Sequence, residues 1–143
     1  MNDARLEGMR ATVREIFATI SRMEAESLRA LLAEDAVLEF PYATAGISPR
    51  AVGREAIIEA MKVTPTLFSA FRQTPTAIYA SPDRESLIAE AESEGTWLDG
   101  RTYSNRYAII FCFRDGKIVL WREYFDPLRL GRPEGAAGSE AIQ

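Results

Sequence analysis

Apolar residues recur at three- and four-residue steps near the start of the chain. Leu6, Met9, Val13, Ile16, Phe17 and Ile20 fall on one stripe, which predicts an amphipathic helix. Ser21-Arg22-Met23-Glu24 has the form of a capping box, with Ser21 capping and Glu24 reaching back. A second helix carrying Leu28, Leu31 and Leu32 is expected to follow it. Ala36 to Phe40 reads as a short strand, stopped by Pro41 because proline cannot donate to a ladder. Residues 44–53, rich in small residues and turn formers, read as a loop. A third helix opens at Gly53-Arg54-Glu55, carries Ile57, Ile58 and Met61, and ends near Pro65.

The period then changes from about 3.6 to two. Phe71 to Ala80 is strand-like, and Pro75 within it marks an edge or a bulge. Leu87–Leu98, Arg101–Phe113 and Lys117–Phe125 alternate, and Asp99-Gly100 and Asp115-Gly116 separate them. Asp-Gly between alternating runs is a strong hairpin signal. Helices first and antiparallel strands later predict an α+β domain, with the helices on one face of a bent sheet. One domain over residues 1–130 and a loose tail over 131–143 are expected.

In the strand 103–113 the odd positions are Tyr103, Asn105, Tyr107, Ile109, Phe111 and Phe113. This row is nearly all aromatic or aliphatic and should face the core. The final strand has Val119, Trp121, Glu123 and Phe125 on one face and Ile118, Leu120, Arg122 and Tyr124 on the other. A three-residue loop, Arg114-Asp115-Gly116, joins Glu123 to the aromatic row, paired with Tyr107. A two-residue loop, Asp115-Gly116, sends Glu123 to the opposite face. Local rules leave both open. An inward Glu123 would lie among aromatic rings, where desolvation raises a carboxyl pKa toward neutrality.

Composition sharpens the chemistry. The 143 residues include no histidine and one cysteine, Cys112. A Ser-His-Asp triad, a Cys-His pair, an imidazole metal site and an intrachain disulfide are therefore excluded. Proton transfer near neutral pH falls to a perturbed carboxylate, Tyr, Lys or Cys, or to a cofactor. Cys112 has no activating partner in the pattern and reads as structural. The net charge of −4 argues against a nucleic-acid or anionic-membrane binder. MNDARLEGMR lacks an apolar signal core, and no apolar run approaches the roughly 20 residues of a membrane span, so a cytoplasmic protein is expected. Glu90, Glu92 and Glu94 share one strand face. They form either a solvated outer face or a second proton-transfer group, and a metal site is not favoured. With a three-residue loop at Leu98-Asp99-Gly100, Glu92 sits beside Arg106; with a two-residue loop, beside Tyr107.

Several stretches resemble one family. Gly116-Lys117-Ile118 with Trp121-Arg122-Glu123-Tyr124-Phe125-Asp126-Pro127-Leu128, Tyr103-Ser104-Asn105-Arg106-Tyr107, Phe40-Pro41-Tyr42-Ala43 and Gly53-Arg54-Glu55-Ala56-Ile57 are similar to SnoaL-like proteins of the nuclear transport factor 2-like superfamily. The phenazine-biosynthesis A/B branch is nearest. The resemblance spans roughly residues 5–130 and implies a cystatin-like cone: N-terminal helices on a strongly curved antiparallel or mixed sheet, with an internal pocket. In the phenazine branch the acid–base glutamate of the last-strand motif falls on Glu123, which favours the three-residue loop and an inward Glu123. The matching epoxide-hydrolase pattern turns Glu90 and Glu92 inward, but its bridging arginine falls on Glu90, and the phenazine proteins' histidine is missing here.

The resemblance implies a cofactor-free isomerase, cyclase or condensing enzyme with Glu123 as the proton shuttle. Its substrate would be a small, largely apolar carbonyl or imine compound. Phe40, Tyr42, Glu92, Tyr103, Asn105, Tyr107, Trp121 and Phe125 are the expected binding residues, with Asn105 or a tyrosine hydroxyl holding the developing oxyanion. A non-catalytic binding module of the same fold is the alternative. A homodimer through the outer sheet face, near Arg106, Ile110, Cys112 and Tyr124, is also implied.

Overall fold

The structure, a computed structural model, describes residues 3–44, 46–83 and 85–130. The tail expected at 131–143 lies outside the described residues. The first apolar stripe forms α1 (Asp3–Arg22), which buries Met9, Val13, Ile16 and Phe17. The expected capping box does not form. α1 runs through Ser21 and ends where Met23 turns left-handed, at φ 56°. Met23 N–H donates to Ile20 O at 3.0 Å and Glu24 N–H to Thr19 O at 3.2 Å, the paired bonds of a Schellman ending. The expected second helix is a single 3₁₀ segment, Ala25–Ala30, without a side-chain cap.

The strands are β1 (Leu32–Glu39), β2 (Arg50–Val52), β3 (Phe68–Ala80), β4 (Ser86–Trp97), β5 (Thr102–Arg114) and β6 (Lys117–Phe125). β2 lies in the segment expected as loop. α2 (Arg54–Met61) matches the third predicted helix, and a short α3 (Thr64–Leu67) follows with Pro65 in its first turn. The sheet order is β2-β1-β6-β5-β4-β3, with β1 and β6 parallel and the other pairs antiparallel. The expected α+β architecture, helices on a curved mixed sheet, is the one observed. Pro75 sits on the edge strand beside a bulge, as its missing N–H requires. α1 guards that edge: Ser21 bonds the Gln73 backbone, and Arg10 Nη1 donates to Ile78 O at 3.0 Å. Among the described residues no helix is long and apolar enough to cross a membrane.

The core fills one end of the concave face. Val13, Ile16 and Phe17 of α1 and Ile57 and Ile58 of α2 belong to one buried cluster with Ile109, Phe111, Phe113 and Ile118. Phe17 meets Phe111 edge-on at 6.4 Å. The end of the face bearing Tyr103, Tyr107, Glu123 and Phe125 is left open as a cavity.

The hairpin ending the sheet takes neither expected form intact. Arg114 pairs with Lys117 across a two-residue turn, Asp115-Gly116, with φ of 51° and 79°. Both values suit a type I′ turn. Uncorrected, this turn would send Glu123 outward. However, Phe113 pairs with Ile118 while Cys112 pairs with Leu120, so Val119 is one residue too many on β6. That bulge restores the inward parity. Glu123 therefore pairs with Ile109 rather than Tyr107, and Tyr107 pairs with Phe125. At the other hairpin Glu92 pairs with Arg106, the register of the three-residue loop, and Gly100 takes φ 92°.

Inserting one residue after Val119 should turn Trp121, Glu123 and Phe125 outward and unfold the domain, since exposing Trp121 alone costs about 3–5 kcal/mol. Deleting Val119 leaves an unbulged ladder of the same facing and should preserve near-ultraviolet circular dichroism. A native spectrum from the insertion variant would refute the parity argument.

Candidate functional site

β5 and β6 supply the floor of the cavity. Alternation turns Tyr103 and Tyr107 inward from β5, and the bulge turns Trp121, Glu123 and Phe125 inward from β6. Phe40, just past β1, lies edge-on to Phe125 at 5.9 Å. Ile47 and Ser48 of the β1–β2 segment, Met61, Val63 and Leu67 of the α2–α3 segment, and Trp97, Asp99 and Arg101 of the β4–β5 hairpin add to the lining. The cavity, open at its mouth, has a volume of about 830 Å³, within the range of small-molecule sites. Leu98 N–H donates to Leu67 O at 3.0 Å and ties the hairpin to α3.

Glu123 is 9% exposed. Trp121 Nε1 donates to Glu123 Oε1 at 3.2 Å, the one hydrogen bond to this carboxyl among the described residues. Among the described residues no cation pairs with it. Arg101, the basic lining residue, is held by Asp99 at 2.8 Å and lies 5.8 Å from the Trp97 ring centroid. Burial raises the Glu123 pKa to about 7, and the Trp121 hydrogen bond opposes that rise only in part. The carboxyl can thus accept or release a proton near neutrality.

Burial acts on the tyrosines in the same direction. Burial raises the pKa of both Tyr103 and Tyr107, and the nearby Glu123 charge adds to this, so both remain neutral phenols. Tyr107 Oη donates to Ser93 Oγ at 2.8 Å. Tyr103 Oη accepts from Asn105 Nδ2 at 2.8 Å, and its hydroxyl also interacts with that of Tyr107.

Asn105 is buried but does not line the cavity. Its Nδ2 also donates to Asp126 O at 3.0 Å, and its Oδ1 accepts from Arg106 N–H at 2.8 Å and Asp126 N–H at 3.1 Å. With every valence used, Asn105 is a strut that locks the end of β6 and orients Tyr103, not a ligand contact.

Besides Asn105, two further expected binding residues lie outside the cavity lining. Glu92 is exposed on the outer face between Thr74 and Arg106, because the three-residue loop sets its parity. Glu90 and Glu94 share that face: Glu90 Oε1 accepts from Tyr79 Oη at 2.9 Å, and Glu94 pairs with Arg72 at 2.8 Å. Tyr42 is 58% exposed and packs edge-on to Tyr124 at 5.4 Å, because the chain turns away from the cavity after Phe40. Cys112 is half-buried, its sulfur accepting from Ser86 Oγ at 3.4 Å.

The far wall was not foreseen. Phe68 stacks on Trp97 at 4.3 Å and meets Tyr103 at 5.2 Å and Phe71 at 5.1 Å. Gly95 allows this cluster. A Cβ there would come within 3.2 Å of both Phe68 and Phe71 and 3.1 Å of Ala70 O. The sequence signal was present, a glycine and a tryptophan inside one alternating run beside a second aromatic run, but the pairing of β3 with β4 was needed to read it.

The raised pKa has a thermodynamic signature. The folded protein holds the Glu123 proton up to about pH 7, whereas the unfolded chain releases it near the ordinary value of 4.5. Stability is therefore lost as pH rises through that window, by about 3 kcal/mol in full. Glu123→Gln should match the parent near about pH 4 and exceed it by about 3 kcal/mol near about pH 8, measured by urea unfolding at both values. A stability difference that does not change with pH would contradict the buried-acid assignment.

Residues 13–121 match the SnoaL-like domain. The chain is 34% identical over 118 residues to the uncharacterized protein YesE of Bacillus subtilis, covering 82% of this chain and 80% of the relative. It is 35% identical over 108 residues to an uncharacterized PhzA/B-like protein of Pseudomonas aeruginosa, covering 72% and 76%. A crystal structure from Bacillus subtilis, of a protein proposed as an isomerase, superposes with a TM-score of 0.80 at 33% identity and covers 97% of each chain. With the helix-backed curved sheet and its open end, these likenesses show that the chain belongs to the SnoaL-like family of the nuclear transport factor 2-like fold.

Proposed function

We propose that the protein is a cofactor-independent enzyme in which Glu123 moves a proton on a largely apolar carbonyl or imine substrate, in an isomerisation, cyclisation or condensation. The observation that carries this reading is the carboxyl itself: buried, without a cation, and facing an apolar cavity. A carboxylate in such a site is a stronger base than one in water, and its acid form persists near neutrality. The proton comes from a carbon next to the carbonyl and leaves an enolate, whose negative charge resides on oxygen. A hydroxyl of the Tyr103 and Tyr107 pair that lines the cavity would stabilise that oxygen, with Asn105 fixing Tyr103. The likeness to a proposed isomerase supports the reaction class.

Tetralone, a bicyclic aromatic ketone, provides a test. Exchange of its α-protons in heavy water, followed by NMR, should be faster with the protein than in buffer. The rate should climb with pH and level off above about 7, because the carboxylate is the base. Glu123→Gln should lower it by roughly 10²–10⁴-fold, and Tyr103→Phe by less. Exchange undiminished in Glu123→Gln would remove Glu123 from the mechanism. Tight binding without exchange would favour the non-catalytic binding module.

A further inference from the structure

The wall remote from Glu123 carries a polar group that the fold leaves without a partner. Gln73 lies on the edge strand β3, is 5% exposed and lines the cavity. Its neighbours Arg72 and Thr74 are exposed, so alternation turns Gln73 inward. Its backbone is committed to α1: the N–H donates to Ser21 Oγ at 2.9 Å, and the carbonyl accepts from the same hydroxyl at 3.2 Å. Its side-chain amide has no hydrogen-bond partner among the described residues. The adjacent Ser93 is taken up with Tyr107. Other lining residues on this wall are Phe68 and Phe71. The amide is not sealed within the fold but reaches the cavity, where a bound molecule can meet it.

Its position limits what the ligand can be. β4 and β5 separate β3 from β6, so the Gln73 and Glu123 backbones stand three steps of ~4.8 Å apart across the sheet. Concave curvature draws the side-chain ends closer, but a single carbonyl oxygen does not serve both. The intervening lining is aromatic, with Tyr103 and Tyr107 on the strand between.

We propose that Gln73 is a ligand-positioning residue whose side-chain amide hydrogen-bonds a second oxygen of the bound molecule, at the end remote from Glu123. This rests on the reading of the cavity as a substrate site, and it narrows the substrate class. The molecule has a flat apolar body and an oxygen at each end, one of them the reacting carbonyl by Glu123 and Tyr103. The other is a hydroxyl or carbonyl group, since the amide both donates and accepts.

The test uses two fluorescent probes. Hydroxyacetonaphthone carries a ketone and a hydroxyl at opposite ends of a naphthalene, and acetonaphthone lacks the hydroxyl. The parent protein should bind the hydroxy ketone roughly fivefold more tightly, the measure of one neutral hydrogen bond. Gln73→Leu should abolish that preference while binding acetonaphthone at least as well, and Gln73→Met provides the same reading if leucine perturbs packing. Both variants should melt close to the parent, because the amide makes no hydrogen bond within the described fold. A preference that persists in both variants, or the absence of any in the parent, would overturn the role of Gln73 and leave the cavity reading intact. Failure of the parent to bind either probe would overturn both.

Discussion

Side-chain parity along β6 governs the site. A type I′ turn at Asp115-Gly116 is the shortest link between β5 and β6, and its geometry matches the strand twist. Taken alone it would put Trp121, Glu123 and Phe125 in solvent. Val119 reverses this by occupying a position without a partner of its own. β1 helps hold the irregularity, since its parallel pairing with β6 also shifts between Leu32 and Val37. The cost is a locally interrupted ladder. The gain is the burial of Trp121 beside Phe111, their rings 5.9 Å apart, at the boundary between filled core and open cavity.

This division of the cone explains how one sheet can be both stable and hollow. The hydrophobic contribution comes from the half where α1 lies along β3 and reaches Phe111 of β5 through Phe17, and α2 packs on β1. The open half is supported by its own walls. Asn105 closes four hydrogen bonds across β5 and the end of β6, and the Phe68, Phe71, Trp97 and Tyr103 rings brace one another over Gly95. Such bracing keeps the cavity from collapsing without filling it, as preorganised catalysis requires.

The fold was legible because its signals are local and periodic. The stripe from Leu6 to Ile20, the switch to period two and both Asp-Gly turns each point to one element. The errors arose where tertiary context overrode a local preference. Ser21 has the sequence form of a cap, yet it serves the β3 edge because α1 can extend to a left-handed Met23. Arg50 to Val52 has only three residues to announce a strand, and it forms one because β1 offers a partner. At the site, Glu123, Tyr103, Tyr107, Trp121, Phe125 and Phe40 were found from the alternating rows and the family likeness. Glu92 was misplaced because facing on β4 hangs on one loop residue. Tyr42 was misplaced because no periodicity governs a loop. Gln73 and the Phe68 wall escaped notice because Pro75 obscured the parity of β3, which only its register with β4 resolves.

Glu123 remains the least economical residue in the domain if its role is structural. Its neighbours are aromatic, its single hydrogen bond among the described residues comes from Trp121, and glutamine could accept that bond equally well. A cost of about 3 kcal/mol at neutral pH is a large share of the 5–15 kcal/mol by which domains are stable. Burial of an unpaired acid is therefore not explained by packing, hydrogen bonding or charge pairing within the fold. What the arrangement does supply is a proton acceptor with low solvation, beside phenols that burial keeps neutral. In the proposed reaction the two kinds of group would divide the labour, the carboxylate taking the proton and a phenol holding the oxygen. The free amide of Gln73 extends the same logic to the far wall: polar groups the fold does not need stand where a bound molecule would meet them.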